Sequence, residues 1–317
     1  MTALLLRRVG GGLLLILAMS FVVYGLIGLM PGDPIDLMIQ ADPSLSAGDA
    51  ARLKALYGLD RPLAGRWWSW LMAAAQGDLG YSRLYAQPVL DVLGPRLAAT
   101  LLLAGSGLAL GLVIGLPLGI AAARRPGGWA DRAASTLAYA AASVPAFWLG
   151  LVLIVLFAVE LRWLPAGGDG GAAAAGFGRI RYLLLPVVTL GLVTAGGLVP
   201  FVRNAMLQSL SQDFVRTARA KGCSERRVVL GHAWRHALPA VVTLVALHLG
   251  SLVSGALAVE TVFAWPGMGR LIFDAVMGND FNLALAALLL LTATTLVANL
   301  AADLLHQYLD PRLARPS

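Results

Sequence analysis

Of the chain's 317 residues 58% are hydrophobic and 13% charged, against roughly 45–50% and 25% in soluble domains, which excludes a water-soluble globular fold. The net charge of +7 is gathered in a few segments between apolar runs, the pattern of topology signals rather than of a nucleic-acid footprint. Cys223 is the one cysteine, so an intrachain disulfide and a thiolate metal cluster are excluded.

Crossing a bilayer takes about 20 apolar residues of helix. Runs of that length occur at 9–30, 98–123, 133–159, 183–202, 240–263 and 282–307. The sequence therefore predicts an all-α integral membrane protein of six transmembrane helices in one domain. The first run follows Arg7 and Arg8 and ends in Met-Pro-Gly-Asp-Pro. It is longer than the roughly 7–15 apolar residues of a signal peptide and offers no small-x-small site, so it reads as an uncleaved span. Residues 31–97 form a long outer loop, where 49–57 and 61–75 have helical spacing. Trp67, Trp68 and Trp70 suit the membrane–water interface in an amphipathic helix. In the second span Gly107, Gly111, Gly115 and Gly119 recur at every fourth residue, which lines one helix face for close approach. Pro117 and Pro145 are expected to kink or open their helices.

With the N-terminus inside, the inner segments 1–8, 124–132, 203–239 and 308–317 hold 14 of the 24 Lys and Arg in 64 residues. The outer segments hold 10 in 110. Both termini are therefore expected in the cytoplasm, and with them the basic segment between spans four and five. There, 214–221 reads as a short helix stopping at Gly222, a residue suited to a left-handed cap. Ser224 is placed to cap a second helix, with Glu225 in its first turn, that runs to Pro239. A short helix beside a glycine turn on the inner face reads as a docking knob.

Catalytic and ion-coupling chemistry is missing. Spans one to four carry no Asp, Glu, Lys, Arg or His, whereas ion-coupled carriers place such groups near the midplane. His248 is the one deep ionisable residue of span five. Neither lysine, Lys54 or Lys221, belongs to a phosphate-cradling G-x-x-x-x-G-K-[ST] loop. His232 and His236 lack the Glu of a zinc motif and sit among Arg226, Arg227 and Arg235, which oppose a cation. No G-x-S-x-G elbow is present. The chain thus reads as a non-enzyme without metal or cofactor. At the outer end of span five, Glu260, Phe263 and Trp265 precede the turn-forming Pro266-Gly267. They suit an outer gate or a contact with an outer binding protein, and equally an interfacial Trp anchor with an ordinary turn.

The inner segment resembles the E-A-A-x-x-x-G loop of binding-protein-dependent ABC permeases. Residues 216–222, Arg-Thr-Ala-Arg-Ala-Lys-Gly, align with it through Ala218 and Gly222, with Arg216 and Thr217 replacing Glu and the first Ala. "VRTARAKG" and "SERRV" resemble the dipeptide, oligopeptide and nickel subfamily. So, in family order along almost the whole chain, do "LMPGDP", "YGLDRPL", "GDLGYS", "SVPAFWLG", "ETVFAWPGMGRL" and "LDPRL". The chain is identified as similar to the B-type permease of that family. The resemblance implies a type I ABC importer permease fold in a bacterial inner membrane, forming half of a pathway for peptides, a nickel complex or glutathione. It implies a second, C-type permease, two ATPase subunits and an outer substrate-binding protein as partners. It divides the chain into a first helix (1–30), the outer loop (31–97), a permease core (98–307) and a tail (308–317). It also implies that segment 214–232 couples to the ATPase, through Phe214, Arg216, Thr217, Ala218, Arg219, Lys221, Gly222 and Arg226. The alternatives are an ion-coupled secondary carrier and a non-transporting membrane scaffold.

Overall fold

Backbone N–H and C=O groups in hydrocarbon need partners within the protein, and this chain supplies them with helices. A computed structural model describes residues 2–27, 62–171 and 177–309. The expected helix at 49–57, "LMPGDP", most of "YGLDRPL" and nearly all of "LDPRL" lie outside the described residues. In chain order the elements are α1 (Thr2–Ile27), α2 (Leu63–Ala75), the two-residue strands β1 (Tyr81–Ser82) and β2 (Gln87–Pro88), α3 (Val89–Arg124) and α4 (Trp129–Ser143). Then come α5 (Ala146–Leu153), a π-helical stretch (Ile154–Glu160), α6 (Phe177–Leu210) and α7 (Asp213–Ala220). The chain continues through α8 (Glu225–Arg227), a second π-helical stretch (Val228–Ala233), α9 (Trp234–Val262), α10 (Met268–Met277) and α11 (Phe281–Leu309).

Five stretches, Arg8–Ile27, Val89–Arg124, Gly178–Leu210, Glu225–His248 and Phe281–Leu304, are long and apolar enough to cross a membrane. Counted as one span, the bent pair Trp129–Ser143 and Ala146–Glu160 brings the number to six. Two spans begin earlier than hydropathy suggests. Helix α3 starts at Val89 rather than 98, because the polar turn around Asp91 and Arg96 is helical although not apolar. Pro239 does not mark the start of span five but lies inside α9. Prolines are tolerated within membrane helices where neighbours and small backbone adjustments absorb the lost bond.

The chain sorts into two compact units, residues 1–97 with 271–294 and residues 98–270 with 295–317, where composition alone suggests one. In the first unit α1 meets α2: Trp67 Nε1 donates to Ser20 Oγ at 3.1 Å and Phe21 packs edge-on to Trp67 at 5.2 Å. The β1–β2 hairpin is fixed by the buried Asp280, whose Oδ2 accepts from Ser82 Oγ at 2.6 Å and Leu84 N at 3.0 Å. The turn comes so close to Asn282 that a Cβ on Gly80 would stand 2.7 Å from its Nδ2.

In the second unit α6 is the hub. Leu103, Leu153, Leu185, Leu190, Phe263 and Trp265 belong to one buried cluster. Val202, Met206, Val229, Ala233 and Val241 belong to another. The first draws on the N-terminal half of α6 and the second on its C-terminal part, so the helix carries cores at both ends.

Candidate functional site

The basic segment between α6 and α9 is a compact helical hairpin. One face of α7 buries Val215 and Ala218, which cluster with Val228 beyond the turn. Helix α7 ends in a Schellman motif: Gly222 N donates to Arg219 O at 2.9 Å and Cys223 N to Ala218 O at 3.2 Å. Gly222 takes φ +75°, the left-handed region this cap requires. Cys223 supplies the accompanying apolar contact by packing against the Val215, Ala218 and Val228 cluster. Ser224 occupies the cap position of α8, but its side chain makes no capping bond.

A charged clasp closes the hairpin. Arg219 Nη2 and Nε donate to Glu225 Oε1 and Oε2 at 2.7 and 3.2 Å. That hydrogen bond raises the Arg219 pKa above its ordinary value. Arg216 pairs with Asp213 at 3.3 Å on the exposed face. The clasp is solvent-exposed and therefore worth little to stability, about 0–1 kcal/mol; it links the last turn of α7 to the first residue of α8. Phe214 packs its ring against His236, centroids 5.2 Å apart. Lys221, Arg226 and Arg227 have no acidic partner among the described residues. Arg226 and Arg227 line, with Ser224, Leu230 and Gly231, an open cavity of about 390 Å³. The sequence-predicted residues are thus brought together: Ala218 faces inward, and Arg216, Thr217, Arg219, Lys221 and Arg226 lie on the outer surface.

The candidate outer residues are internal. Glu260, Phe263 and Trp265 are all fully buried. Glu260 accepts from Thr100 Oγ1 at 2.6 Å, Gly269 N at 2.7 Å and Arg270 N at 3.2 Å, so its carboxylate sits at the N-terminus of α10, where anionic charge is favoured. Thr100 Oγ1 also accepts from Met268 N at 2.7 Å. No room remains for a side chain at Gly267, because a Cβ there would overlap the Glu260 carboxylate. Trp265 Nε1 donates to Ala99 O at 3.0 Å, and the Arg179 guanidinium lies 5.7 Å from its ring centroid. At the C-terminus of α9 the left-handed position falls on Ala264, φ +50°, rather than on a glycine. These side chains shape the turn from within and do not themselves present a surface.

The four glycines of α3 all face α6. A Cβ on Gly107 would stand 2.7 Å from Leu190, on Gly111 2.7 Å from Thr194, on Gly115 2.9 Å from Leu198 and on Gly119 2.7 Å from Val202. Both residue numbers rise together by four, so α3 and α6 run parallel with their backbones nearly in contact. Sequence reasoning missed a further tie. Arg203 near the C-terminal end of α6 forms a two-pronged ion pair with Asp131 in the first turn of α4, its Nη2 donating to Oδ2 at 2.8 Å. Gly127 N and Ser135 Oγ also donate to Asp131. The available signal was an isolated acid beside a Gly-Gly turn and an isolated base at the end of an apolar run.

Residues 115–315 match the family described as binding-protein-dependent transport system inner membrane component, and residues 1–104 match the N-terminal part of such membrane components. The chain is similar to the glutathione transport system permease protein GsiC of Escherichia coli, 36% identical over 308 residues and covering 97% of each chain. It is similar to the oligopeptide transport system permease protein AppB of Bacillus subtilis, 35% identical over 316 residues and 99% of each chain. Its fold is that of the membrane subunit in an inward-facing structure of the MetNI methionine ABC transporter. There the TM-score is 0.55 at 23% identity, over 67% of this chain and 93% of that one.

Proposed function

Since the chain belongs to the binding-protein-dependent transport system inner membrane component family, we propose that it is the B-type permease of an ATP-driven importer of peptides or a related solute such as glutathione. It forms half of a translocation pathway opposite a second, C-type permease. Two cytoplasmic ATPase subunits dock from below and an outer substrate-binding protein delivers the solute. ATP hydrolysis belongs to the partners, and this chain performs no chemistry of its own. Both termini and the 203–239 segment face the cytoplasm, a reading supported by the Lys and Arg asymmetry. Residues 31–97 form the outer loop, 98–307 the permease core and 308–317 the tail.

The observation that carries this reading is the hairpin of α7 and α8. A movable ATPase needs a rigid handle to push. Here a Schellman cap, an apolar contact and an ion-pair clasp tie two helices together, with Arg216, Lys221 and Arg226 directed outward. Because α8 continues through the second π-helical stretch into α9, displacement of the hairpin passes straight into a membrane span. Glu260, Phe263 and Trp265 fix the turn at the far end of that span. Gly107, Gly111, Gly115 and Gly119 keep α3 and α6 moving together.

The test is Gly222→Val in the complete complex reconstituted in proteoliposomes, with trialanine or glutathione and the cognate binding protein. A Cβ at 222 meets nothing within 4 Å, so the substitution acts through backbone strain alone. That strain is about 1–2 kcal/mol for a β-branched residue in a left-handed cap. Membrane abundance and pairing with the second permease should stay normal, while uptake and solute-stimulated ATP hydrolysis are lost. Gly222→Asn, which tolerates the left-handed region, should retain most of both. Full transport by the Val variant would refute the coupling role.

A further inference from the structure

Span three is broken in the middle. Helix α4 stops at Ser143, α5 starts at Ala146, and the two axes differ by 102°. The cause is local: Pro145 lacks an N–H and forces the residue before it out of the helical region. Val144 accordingly sits at φ −94°, ψ 127°.

The break is deep rather than at the membrane surface. The Asp131–Arg203 pair holds the start of α4 beside the inner end of α6. Further along, Gly196 lies against the α4 backbone, a Cβ there standing 3.0 Å from Ala138 O and from Ala142 N. Gly196 is seven residues before Arg203, about 10 Å along the helix axis at 1.5 Å per residue. Past the break the chain continues outward, since Leu153 joins the cluster containing Leu185 and Leu190 toward the other end of α6. In a hydrocarbon layer about 30 Å thick, the residues just beyond Ala142 therefore stand well inside.

At such a break helical bonding leaves backbone groups without partners. The carbonyls of Ala141, Ala142 and Ser143 lose the N–H groups of a following turn, and the N–H groups of Ala146, Phe147 and Trp148 lose preceding carbonyls. The bonds that do form, Ser143 Oγ to Tyr139 O at 2.7 Å and Leu149 N to Pro145 O at 3.1 Å, satisfy none of them. No other described residue supplies a partner. The segment is open as well: Ala142, Ser143, Pro145, Phe147 and Trp148 are exposed, and so is the phenol-bearing Tyr139 one turn earlier. Irregular backbone at this depth does not face lipid, because each unmet group costs several kcal/mol there. A partner helix laid over the break would have to meet each group in turn, whereas water meets them all without a fixed match. A hydroxyl and a phenol exposed at the same place favour water.

Resting on the permease reading above, we propose that the break at 143–145 forms part of the water-lined wall of the translocation pathway, with Ser143 and Tyr139 as its polar side chains. The prolyl break exposes polar backbone inside a span whose side chains are nearly all apolar. A path for polar solutes thereby acquires hydrogen-bonding capacity without buried charge.

The test uses the complete complex carrying Cys223→Ser, which leaves this chain without a thiol, with cysteines of its partner subunits also replaced. Ser143→Cys and Tyr139→Cys are compared with Val113→Cys and Val297→Cys, two exposed positions on regular helix. A small, water-soluble, charged methanethiosulfonate should modify the first pair about tenfold faster or more, since the reactive thiolate forms in water and not in hydrocarbon. If neither of the first pair reacts faster than the controls, the break is covered by lipid or protein and the inference is overturned. Two positions keep the test decisive should one variant fail to assemble. Uptake by the Cys223→Ser parent is measured alongside: a parent that transports while the break stays unreactive refutes this inference and spares the permease reading.

Discussion

Gly111→Ala is the smallest change that interrogates the contact between α3 and α6. The new Cβ would stand 2.7 Å from both Cβ and Cγ2 of Thr194 and 3.2 Å from Gly191 O. Carbon–carbon contacts are comfortable at about 3.5–4.0 Å, so the helices must separate locally by roughly 1 Å. Thr194 is β-branched and helical, so its side chain has little rotamer freedom to withdraw. Overpacking of this kind costs about 1–3 kcal/mol, offset by up to about 1 kcal/mol from the helical preference of Ala over Gly. The net expectation is a loss of about 1–2 kcal/mol. Gly105→Ala is the internal control, on the same helix with nothing within 4 Å of its added Cβ. It gains the propensity term without the clash and should be neutral or stabilising. The assay is thermal unfolding of the purified complex, read by size-exclusion recovery of a fluorescent fusion. Gly111→Ala should lower the midpoint by on the order of 5 °C, and Gly105→Ala should not lower it. Equal midpoints for both variants would refute the close-contact account.

Thr100→Ala should destabilise the outer turn by about 1–3 kcal/mol, because it removes one donor to Glu260 and leaves the buried Met268 N–H without its acceptor. Thr100→Ser, which keeps the hydroxyl, should restore most of the loss in the same unfolding assay; failure of Ser to rescue would mean the methyl group matters instead. For orientation, the half-buried Cys223 should react with a membrane-impermeant maleimide in inverted vesicles and remain unlabelled in intact cells. Labelling in sealed cells would reverse the topology and remove the hairpin from reach of any cytoplasmic ATPase.

Much of this architecture was legible because bilayer physics leaves few options. Long apolar runs become helices, and glycines at every fourth residue define a face whatever the partner. Gly222 could be read as a left-handed cap because the polar helix before it stopped there. Long-range pairing was not legible. Nothing in the sequence joins Asp131 to Arg203 or Thr100 to Glu260, since those bonds depend on which helices become neighbours. The surroundings of the outer motif were not legible for a related reason: charged and aromatic residues near a span end suggest a surface, yet Glu260 caps a following helix and Trp265 turns inward. Pro239 misled because proline is a breaker in isolated helices but is accommodated inside a packed membrane span.

The π-helical stretch between α8 and α9 spends one residue more than an α-helix would on the same turn. The surplus is absorbed in the wider turn, so the helices on either side keep the bearing of an uninterrupted helix. A single deletion within Val228–Ala233 should therefore restore ordinary winding and leave the aim of the hairpin nearly unchanged. One residue added to or removed from the regular helix α9 has no such buffer and turns α7 and α8 by about 100° about the helix axis. The Arg219–Glu225 clasp and the exposed arginines would then point a quarter-turn or more from their present bearing, with the composition of the hairpin untouched.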